Sequence, residues 1–184
     1  MLAPTEGHRC ASETEVKERE IWDAYHSDGT PVSRTLVRGE PIPEGLYHLV
    51  CEILVRHADG DYLLMQRDLR KQGYPGYWEA TAGGSALQGE DAMTCARREL
   101  REETGIAEGD FTEIGRFVSR DTIYQQYLCV TDGDKDAVTL QEGETIAYRW
   151  VTEAEFAAFV NSDGMIDTQR ERYQPFLRRM GYVR

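Results

Sequence analysis

The chain has 184 residues, a formal net charge of −12, 40% hydrophobic residues and 10% aromatic residues. This composition is typical of a globular domain with a real core, and it excludes a disordered chain. The acidic balance argues against nonspecific binding to nucleic acid or to an anionic membrane. An anionic substrate would therefore need local cations in order to approach.

The cysteine pattern and the N-terminus both favour a reducing cytoplasm as the location. Cys10, Cys51, Cys95 and Cys129 form no C-x-x-C pair, and the last three lie in apolar surroundings that are typical of buried free thiols. The first residues lack the basic and apolar regions of a signal peptide. No apolar run approaches the roughly 20 residues that a membrane span needs.

The N-terminal half predicts a tail followed by strands. We expect residues 1–15 to form a flexible tail and residues 16–184 to form a single domain with an N-terminal strand extension and a C-terminal helix. Glu20 to Tyr25 predicts a short strand, whereas the Gly- and Pro-rich segment 26–45 predicts a turn and then a long connection. Two β-rich runs follow, joined by a turn at Asp59-Gly60: Tyr47 to Arg56 and Tyr62 to Arg67.

The second half alternates strands and helices. After a loop over 68–77, Trp78 to Gly84 predicts a short strand, and Asp91 to Thr104 predicts a helix that Gly105 stops. Residues 111–131 predict two strands with a break near Arg120-Asp121, then a polar loop. The last predicted elements are a strand over 146–151, a helix capped by Thr152 with Glu155 in a capping box, and a helix from Ile166 to Met180. This order favours an α/β layered domain with a mixed sheet.

The helix over 91–104 carries carboxylates beside its apolar stripe. At about 100° per residue, Ala92, Ala96 and Leu100 define the stripe, with Glu99 and Glu103 at its edge. Arg97 and Arg101 fall on the solvent side. Partly buried carboxylates cost free energy unless they are paired or bind a metal, so both a salt-bridged surface helix and a metal site remain open from these angles.

The residues upstream of this helix complete a longer pattern. From Gly84 to Ile106 the chain matches G-x5-E-x7-R-E-U-x-E-E-x-G-U, in which U is apolar, at every fixed position. This resembles the signature of the Nudix hydrolases, and it stands between a strand and a helix as that signature requires. The resemblance extends from about Tyr47 to the helix after Trp150, and it implies the family's α/β/α sandwich.

The resemblance implies a Mg²⁺-dependent (or Mn²⁺-dependent) hydrolase of small-molecule diphosphates, usually a nucleoside diphosphate linked to another moiety. Carboxylates and a glycine carbonyl are hard oxygen donors that suit such ions. Glu90 and Arg98 would pair and orient the helix. The metal ligands implied are Gly83 (through its carbonyl), Glu99, Glu102 and Glu103.

The resemblance leaves the general base open, because some relatives use a glutamate of the motif and others use one from a later loop. The motif glutamates in question are Glu99 and Glu102. The later loop supplies Glu142 and Glu144, of which we favour Glu144 because it directly precedes a strand. An exposed loop charge is the alternative interpretation of Glu144.

The segment 66–84 is also similar to a region of type I isopentenyl-diphosphate isomerase, a Nudix-fold enzyme that does not hydrolyse. Arg67 and Lys71 match a diphosphate-binding pair in that enzyme, so we predict phosphate contacts for both, although solvated loop charges remain the alternative. The isomerase needs a catalytic cysteine where this chain has Gly83, which disfavours isomerisation. A non-catalytic Nudix-fold binding module is a third hypothesis, disfavoured by the intact glutamates.

The sequence does not identify the moiety attached to the diphosphate. Five aromatic residues are candidates for base stacking, although aromatics beside strands are more often core: Tyr74, Tyr77, Trp78, Tyr124 and Tyr127. The segment before Tyr47 and the terminal helix are candidates for shaping specificity or for a homodimer contact. No nucleic acid or membrane partner is expected. The four histidines have no metal-ligand spacing.

Overall fold

The computed structural model describes residues 19–184. The tail predicted over residues 1–15, together with Cys10 and His8, lies outside the described residues. Within this range the chain forms a two-stranded sheet and a seven-stranded sheet. The strands are β1 (Ile21–Tyr25), β2 (Pro31–Val37), β3 (His48–His57), β4 (Tyr62–Arg67), β5 (Trp78–Glu79), β6 (Thr81–Ser85), β7 (Asp110–Val118), β8 (Thr122–Thr131) and β9 (Thr145–Val151).

The large sheet is mixed and is organised around β3. Strand β3 pairs parallel with β8 along its whole length and antiparallel with β6, while β4 pairs antiparallel with β5 and β9. Strand β7 closes the far edge beside β8. Strand β6 is thus joined to the central strand, which gives the segment that follows it a rigid starting point.

Helices cover both faces of this sheet, which makes the domain an α/β/α sandwich as predicted. Helix α1 (Ala92–Thr104) packs on one face, while α2 (Glu153–Val160) and α3 (Asp167–Arg179) pack on the other. The alternation along β3 explains the two cores, since Cys51 and Ile53 face α1 whereas Leu54 faces α2 and α3. None of the helices in this range is long and apolar enough to cross a membrane.

Helix α1 begins and ends where its sequence predicts. Asp91 is the N-cap, and its side chain accepts a hydrogen bond from the backbone N–H of Thr94 at 2.7 Å. Gly105 ends the helix in the left-handed conformation, with φ of 75°. Ala96 and Leu100 are buried in the core, and Arg97 and Arg101 are exposed.

The prediction for residues 26–45 was wrong in one respect, because part of the expected connection is strand β2. It forms a hairpin with β1, although most of its side chains are exposed. Leu36 alone in β2 is buried, and it packs with Trp22 and Ala24 in a small separate core. A strand with so little buried surface carries no clear alternation in its sequence, and pairing with β1 stabilises it instead.

The strand predicted over Trp78 to Gly84 is divided in two. Strand β5 pairs with β4, whereas β6 pairs with β3, so the chain changes neighbours at Ala80. A short 3₁₀ turn, Lys135–Ala137, also lies within the loop that was predicted to be irregular. The cysteine prediction was confirmed for the described residues, as Cys51, Cys95 and Cys129 are free and buried.

We expect Asp91→Ala to lower the free energy of unfolding by about 1 kcal/mol, because the N-cap of α1 loses its acceptor. Urea denaturation monitored by circular dichroism would measure the change. The matched control is Asp163→Ala, since Asp163 is exposed and makes no side-chain hydrogen bond within the described part of the chain. Equal stability of Asp91→Ala and the control would contradict the capping role.

Candidate active site

The candidate site lies where helix α1 meets strand β6, and two glycines permit the contact. A Cβ atom on Gly83 would lie 2.1 Å from the Cys51 carbonyl oxygen. A Cβ atom on Gly84 would lie 2.4 Å from the Glu99 carboxylate. A side chain at Gly83 would therefore clash with the backbone of β3, and one at Gly84 would displace the Glu99 carboxylate.

Arg98 organises one side of the site. Its Nε and Nη2 donate to the two carboxylate oxygens of Glu90 at 2.7 and 2.9 Å, which is a bidentate pair. Its Nη1 donates to Glu99 at 2.7 Å and to Glu102 at 3.1 Å, and Nη2 also reaches the Ser85 carbonyl at 3.1 Å. One guanidinium thus connects three glutamates to the end of β6.

Glu103 occupies the centre of the site in a different environment. Burial raises the pKa of Glu103 well above its ordinary value, and the negative charges of Glu79, Glu99 and Glu144 raise it further. The backbone N–H of Gly83 donates to Glu103 at 3.0 Å and opposes this rise. Within the described residues no salt bridge reaches Glu103, so its charge lacks a cationic partner.

Glu99 is also partly buried, but it has a cation beside it. Burial raises the pKa of Glu99, and Arg98 opposes the rise. Glu102 is more exposed, with 46% of its side-chain surface accessible, against 12% for Glu99. The helical projection placed these carboxylates correctly, since Glu99 and Glu103 lie on the inner edge of α1.

Glu144 lies across the cleft from α1. The Lys71 ammonium donates a hydrogen bond to the Glu144 carboxylate, and the backbone N–H of Asp68 donates to the Glu144 carbonyl at 2.9 Å. These contacts join the loop between β4 and β5 to the loop between β8 and β9. They bring both Lys71 and Glu144 to the wall of the same cleft as the α1 glutamates.

The cleft has a volume of about 300 Å³ and a predominantly polar lining. Two of its charged residues flank the β1–β2 hairpin, Glu20 before β1 and Arg38 after β2. No sequence pattern indicates them, because β2, which leads to Arg38, is not predicted from the sequence. The residues that line the cleft are Glu20, Arg38, Lys71, Gly83, Gly84, Ser85, Leu87, Arg98, Glu99, Glu102, Glu103, Gln141 and Glu144.

Arg67 lies beside the cleft but is engaged elsewhere. Its Nη1 donates to both carboxylate oxygens of Glu79 at 3.1 and 3.0 Å, and its Nε donates to the Gly73 carbonyl at 3.0 Å. Gln169 of α3 also donates to Glu79 at 2.9 Å. A phosphate contact by Arg67 would have to replace bonds to a buried carboxylate, so the predicted role remains a prediction that the geometry does not favour.

The donor set fits a hard divalent cation, although the side chains are not arranged as a finished ligand sphere. In the part of the chain that the structure describes, no three His, Cys, Asp or Glu side chains already converge as a metal site. The carboxylate oxygens already have other hydrogen-bond partners. Arg98 donates to Glu99 and Glu102, Lys71 donates to Glu144, and the backbone N–H of Gly83 donates to Glu103. The buried, unpaired charge of Glu103 is what a divalent cation would neutralise.

The aromatic candidates divide by exposure. Tyr127 is buried in the core that faces α1, while Arg172 lies 4.3 Å from the Tyr124 ring and Arg149 lies 4.4 Å from the Trp78 ring. Tyr74 and Tyr77 are exposed on the loop that carries Lys71, with ring centroids 5.6 Å apart.

Comparisons with known proteins agree with this architecture. The model of the NUDIX domain matches residues 46–179. An uncharacterized Nudix hydrolase of Listeria monocytogenes is 32% identical over 149 residues, which cover 80% of this chain and 88% of that protein.

Solved structures share the fold at low sequence identity. The Deinococcus radiodurans protein DR0079 superposes with a TM-score of 0.62 and 18% identity, covering 77% of this chain and 88% of its own. The dihydroneopterin triphosphate pyrophosphohydrolase of Escherichia coli superposes with a TM-score of 0.52 and 19% identity, covering 72% and 98%.

We expect Glu103→Gln to raise the free energy of unfolding by about 0.5–2 kcal/mol at neutral pH in metal-free buffer, because the variant no longer buries an unpaired charge. The raised pKa means that folding is favoured when this carboxyl is protonated. The gain over wild type should therefore shrink as the pH falls towards the ordinary value of 4.5. Denaturant titrations at several pH values would measure it.

The matched control for this comparison is Glu102→Gln, since Glu102 is exposed and pairs with Arg98. It should bring no gain in stability. Millimolar Mg²⁺ should raise the stability of wild type and leave that of Glu103→Gln nearly unchanged. If Glu103→Gln is less stable than wild type in metal-free buffer, the claim that the unpaired Glu103 charge destabilises the folded protein is contradicted.

Proposed function

Because this chain belongs to the Nudix hydrolase family, whose members act on pyrophosphate bonds, we propose that it hydrolyses a small-molecule diphosphate in a Mg²⁺- or Mn²⁺-dependent reaction. The observation that carries the proposal is the position of Glu103, a half-buried carboxylate beside Glu99 that has no ion-pair partner among residues 19–184 and lines the same polar cleft as Lys71. A nucleoside diphosphate linked to another moiety is the substrate class that the motif favours.

The residues that would hold the metal are Glu99, Glu102 and Glu103, with the carbonyl of Gly83. A divalent cation held by these residues would supply positive charge to the diphosphate oxygens and would lower the pKa of water. Arg98 holds Glu99 and Glu102 by hydrogen bonds and is itself anchored by Glu90, so it fixes the direction in which α1 presents its carboxylates. This supports an orienting role for the Glu90–Arg98 pair.

Glu144 is the residue that we propose as general base. It lines the cleft from the loop before β9 rather than from α1, so it is free of the motif's own hydrogen bonds to Arg98 and suits removal of a proton from an attacking water. Its partner Lys71 donates a hydrogen bond to this carboxylate, and the ammonium is placed to contact a phosphate when substrate enters. Glu99 and Glu102 are the alternative bases within the motif.

Isomerisation of isopentenyl diphosphate is a poorer fit to the geometry. A cysteine side chain at position 83 would place its Cβ 2.1 Å from the Cys51 carbonyl oxygen, so this backbone does not accommodate the cysteine on which the isomerase depends. A non-catalytic binding role is disfavoured because all the glutamates of the motif are present in this chain.

We expect the wild-type protein to release phosphate or a monophosphate from at least one member of a broad diphosphate panel when Mg²⁺ or Mn²⁺ is present. Chelation with EDTA should abolish the activity. Glu103→Gln should lower kcat by about 10²-fold or more, as expected when a group that stabilises transition-state charge is lost. A colorimetric phosphate assay coupled to a phosphatase would measure this.

The matched control for the panel is Glu171→Gln, an exposed glutamate of α3 that should keep wild-type activity. No hydrolysis of any member of the panel by wild type would refute the proposal. Conversion of isopentenyl diphosphate to its allylic isomer would overturn the preference for hydrolysis.

We expect Glu144→Gln to lower kcat by roughly 10²- to 10⁴-fold with little change in KM, because the amide keeps the shape of the side chain but cannot accept the proton. Glu142→Gln is the control, since Glu142 is exposed in the same loop. Steady-state kinetics on the best panel substrate would decide. A kcat within a few-fold of wild type for Glu144→Gln would assign the base to a glutamate of α1.

A further inference from the structure

The β1–β2 hairpin is fixed to the loop that leads into α1. The backbone N–H of Gln88 donates to the Ile21 carbonyl at 2.8 Å, and the backbone N–H of Gly89 donates to the Asp23 carboxylate at 2.7 Å. Leu87 packs against the hairpin's own core, which includes Trp22. The hairpin therefore has a defined position relative to the glutamates of α1.

This position brings an arginine and a glutamate of the hairpin segment into the cleft wall. Arg38 follows β2 and Glu20 precedes β1, and both line the cleft beside Glu99 and Glu103. Their side chains form an ion pair of 2.5 Å, and 61% of the Arg38 side-chain surface is exposed. The match to the family model begins at residue 46, so this pair lies outside the matched region.

The cations of the cleft differ in how firmly they are held. Arg98 is bound by three glutamates and a carbonyl. Lys71 is bound by Glu144. Within residues 19–184 the Arg38 guanidinium is bound only by Glu20, whose side chain is 38% exposed, and ion pairs that solvent reaches contribute little to stability. A phosphate with two negative charges in the cleft competes easily with one exposed carboxylate.

We propose that Arg38 is a substrate-binding residue that releases Glu20 and binds a phosphate group of the diphosphate. Its planar guanidinium can donate two parallel hydrogen bonds to phosphate oxygens, and it supplies positive charge to a cleft rich in carboxylates. Glu20 holds the guanidinium at the cleft until substrate arrives. This inference rests on the proposed diphosphate chemistry of the same cleft.

The test compares Arg38→Gln with Glu20→Gln, because both variants break the same ion pair. Arg38→Gln should raise KM roughly ten-fold or more and leave kcat within a few-fold of wild type, as expected for loss of a hydrogen bond to a charged group. Glu20→Gln should leave KM unchanged or lower it, since it frees Arg38. Equal rises in KM for the two variants would mean that the pair is structural, and would overturn the inference.

Two further variants separate charge from shape and position. Arg38→Lys should recover only part of the lost affinity, because an ammonium lacks the planar pair of donors. Arg34→Gln is the control for general charge, as Arg34 is exposed on β2 of the same hairpin and does not line the cleft. Its KM should equal that of wild type, and a rise equal to that of Arg38→Gln would overturn the inference.

A binding measurement makes failure of the inference distinguishable from failure of the proposed function. Titration calorimetry with methylenediphosphonate and Mg²⁺ should give a Kd roughly ten-fold higher for Arg38→Gln than for wild type, whether or not any tested diphosphate is hydrolysed. Equal Kd values for the two proteins would refute the role of Arg38 alone. If wild type hydrolyses no tested diphosphate but the Kd values of wild type and Arg38→Gln still differ in this way, only the proposed activity is refuted.

Discussion

The close approach of helix α1 to strand β6 is the constraint on which the site depends. Gly84 leaves room for it, since a Cβ there would meet the Glu99 carboxylate, and Gly83 lets β6 lie against β3, since a Cβ there would meet the Cys51 carbonyl oxygen. The pairing of β6 with the central strand β3 keeps these glycines in place. The capped ends of α1, at Asp91 and Gly105, fix which of its turns faces them.

The close approach of α1 to β6 costs electrostatic free energy, which neighbouring cationic side chains only partly offset. Several carboxylates lie at the edge of the core, where each charge is poorly solvated. Arg98 compensates Glu99 on one side, and Lys71 compensates Glu144 on the other. Among residues 19–184, Glu103 has a backbone N–H, that of Gly83, as its one hydrogen-bond partner and no cation paired with it. Binding of a cation beside this charge would stabilise the folded state.

The sequence predicted what depends on local periodicity and missed what depends on long-range pairing. The residue spacing alone predicts helix α1, its two caps and the position of its glutamates at the edge of its core-facing side. Strand β2 was missed because its side chains are mostly exposed and β1 supplies its stabilisation. The pair between Arg67 and Glu79 joins two strands and has no signature in the local pattern. For the same reason no local signal places Arg38 in the cleft.

The central claim is that the carboxylates of α1 together bind a divalent cation. Mn²⁺ titration followed by electron paramagnetic resonance tests it directly, because bound Mn²⁺ is lost from the signal of the free ion. Wild type should remove at least one equivalent of Mn²⁺ from solution, and the double variant Glu99→Gln/Glu103→Gln should remove far less at the same concentrations. Equal Mn²⁺ binding by the two proteins, or none by wild type, would contradict it.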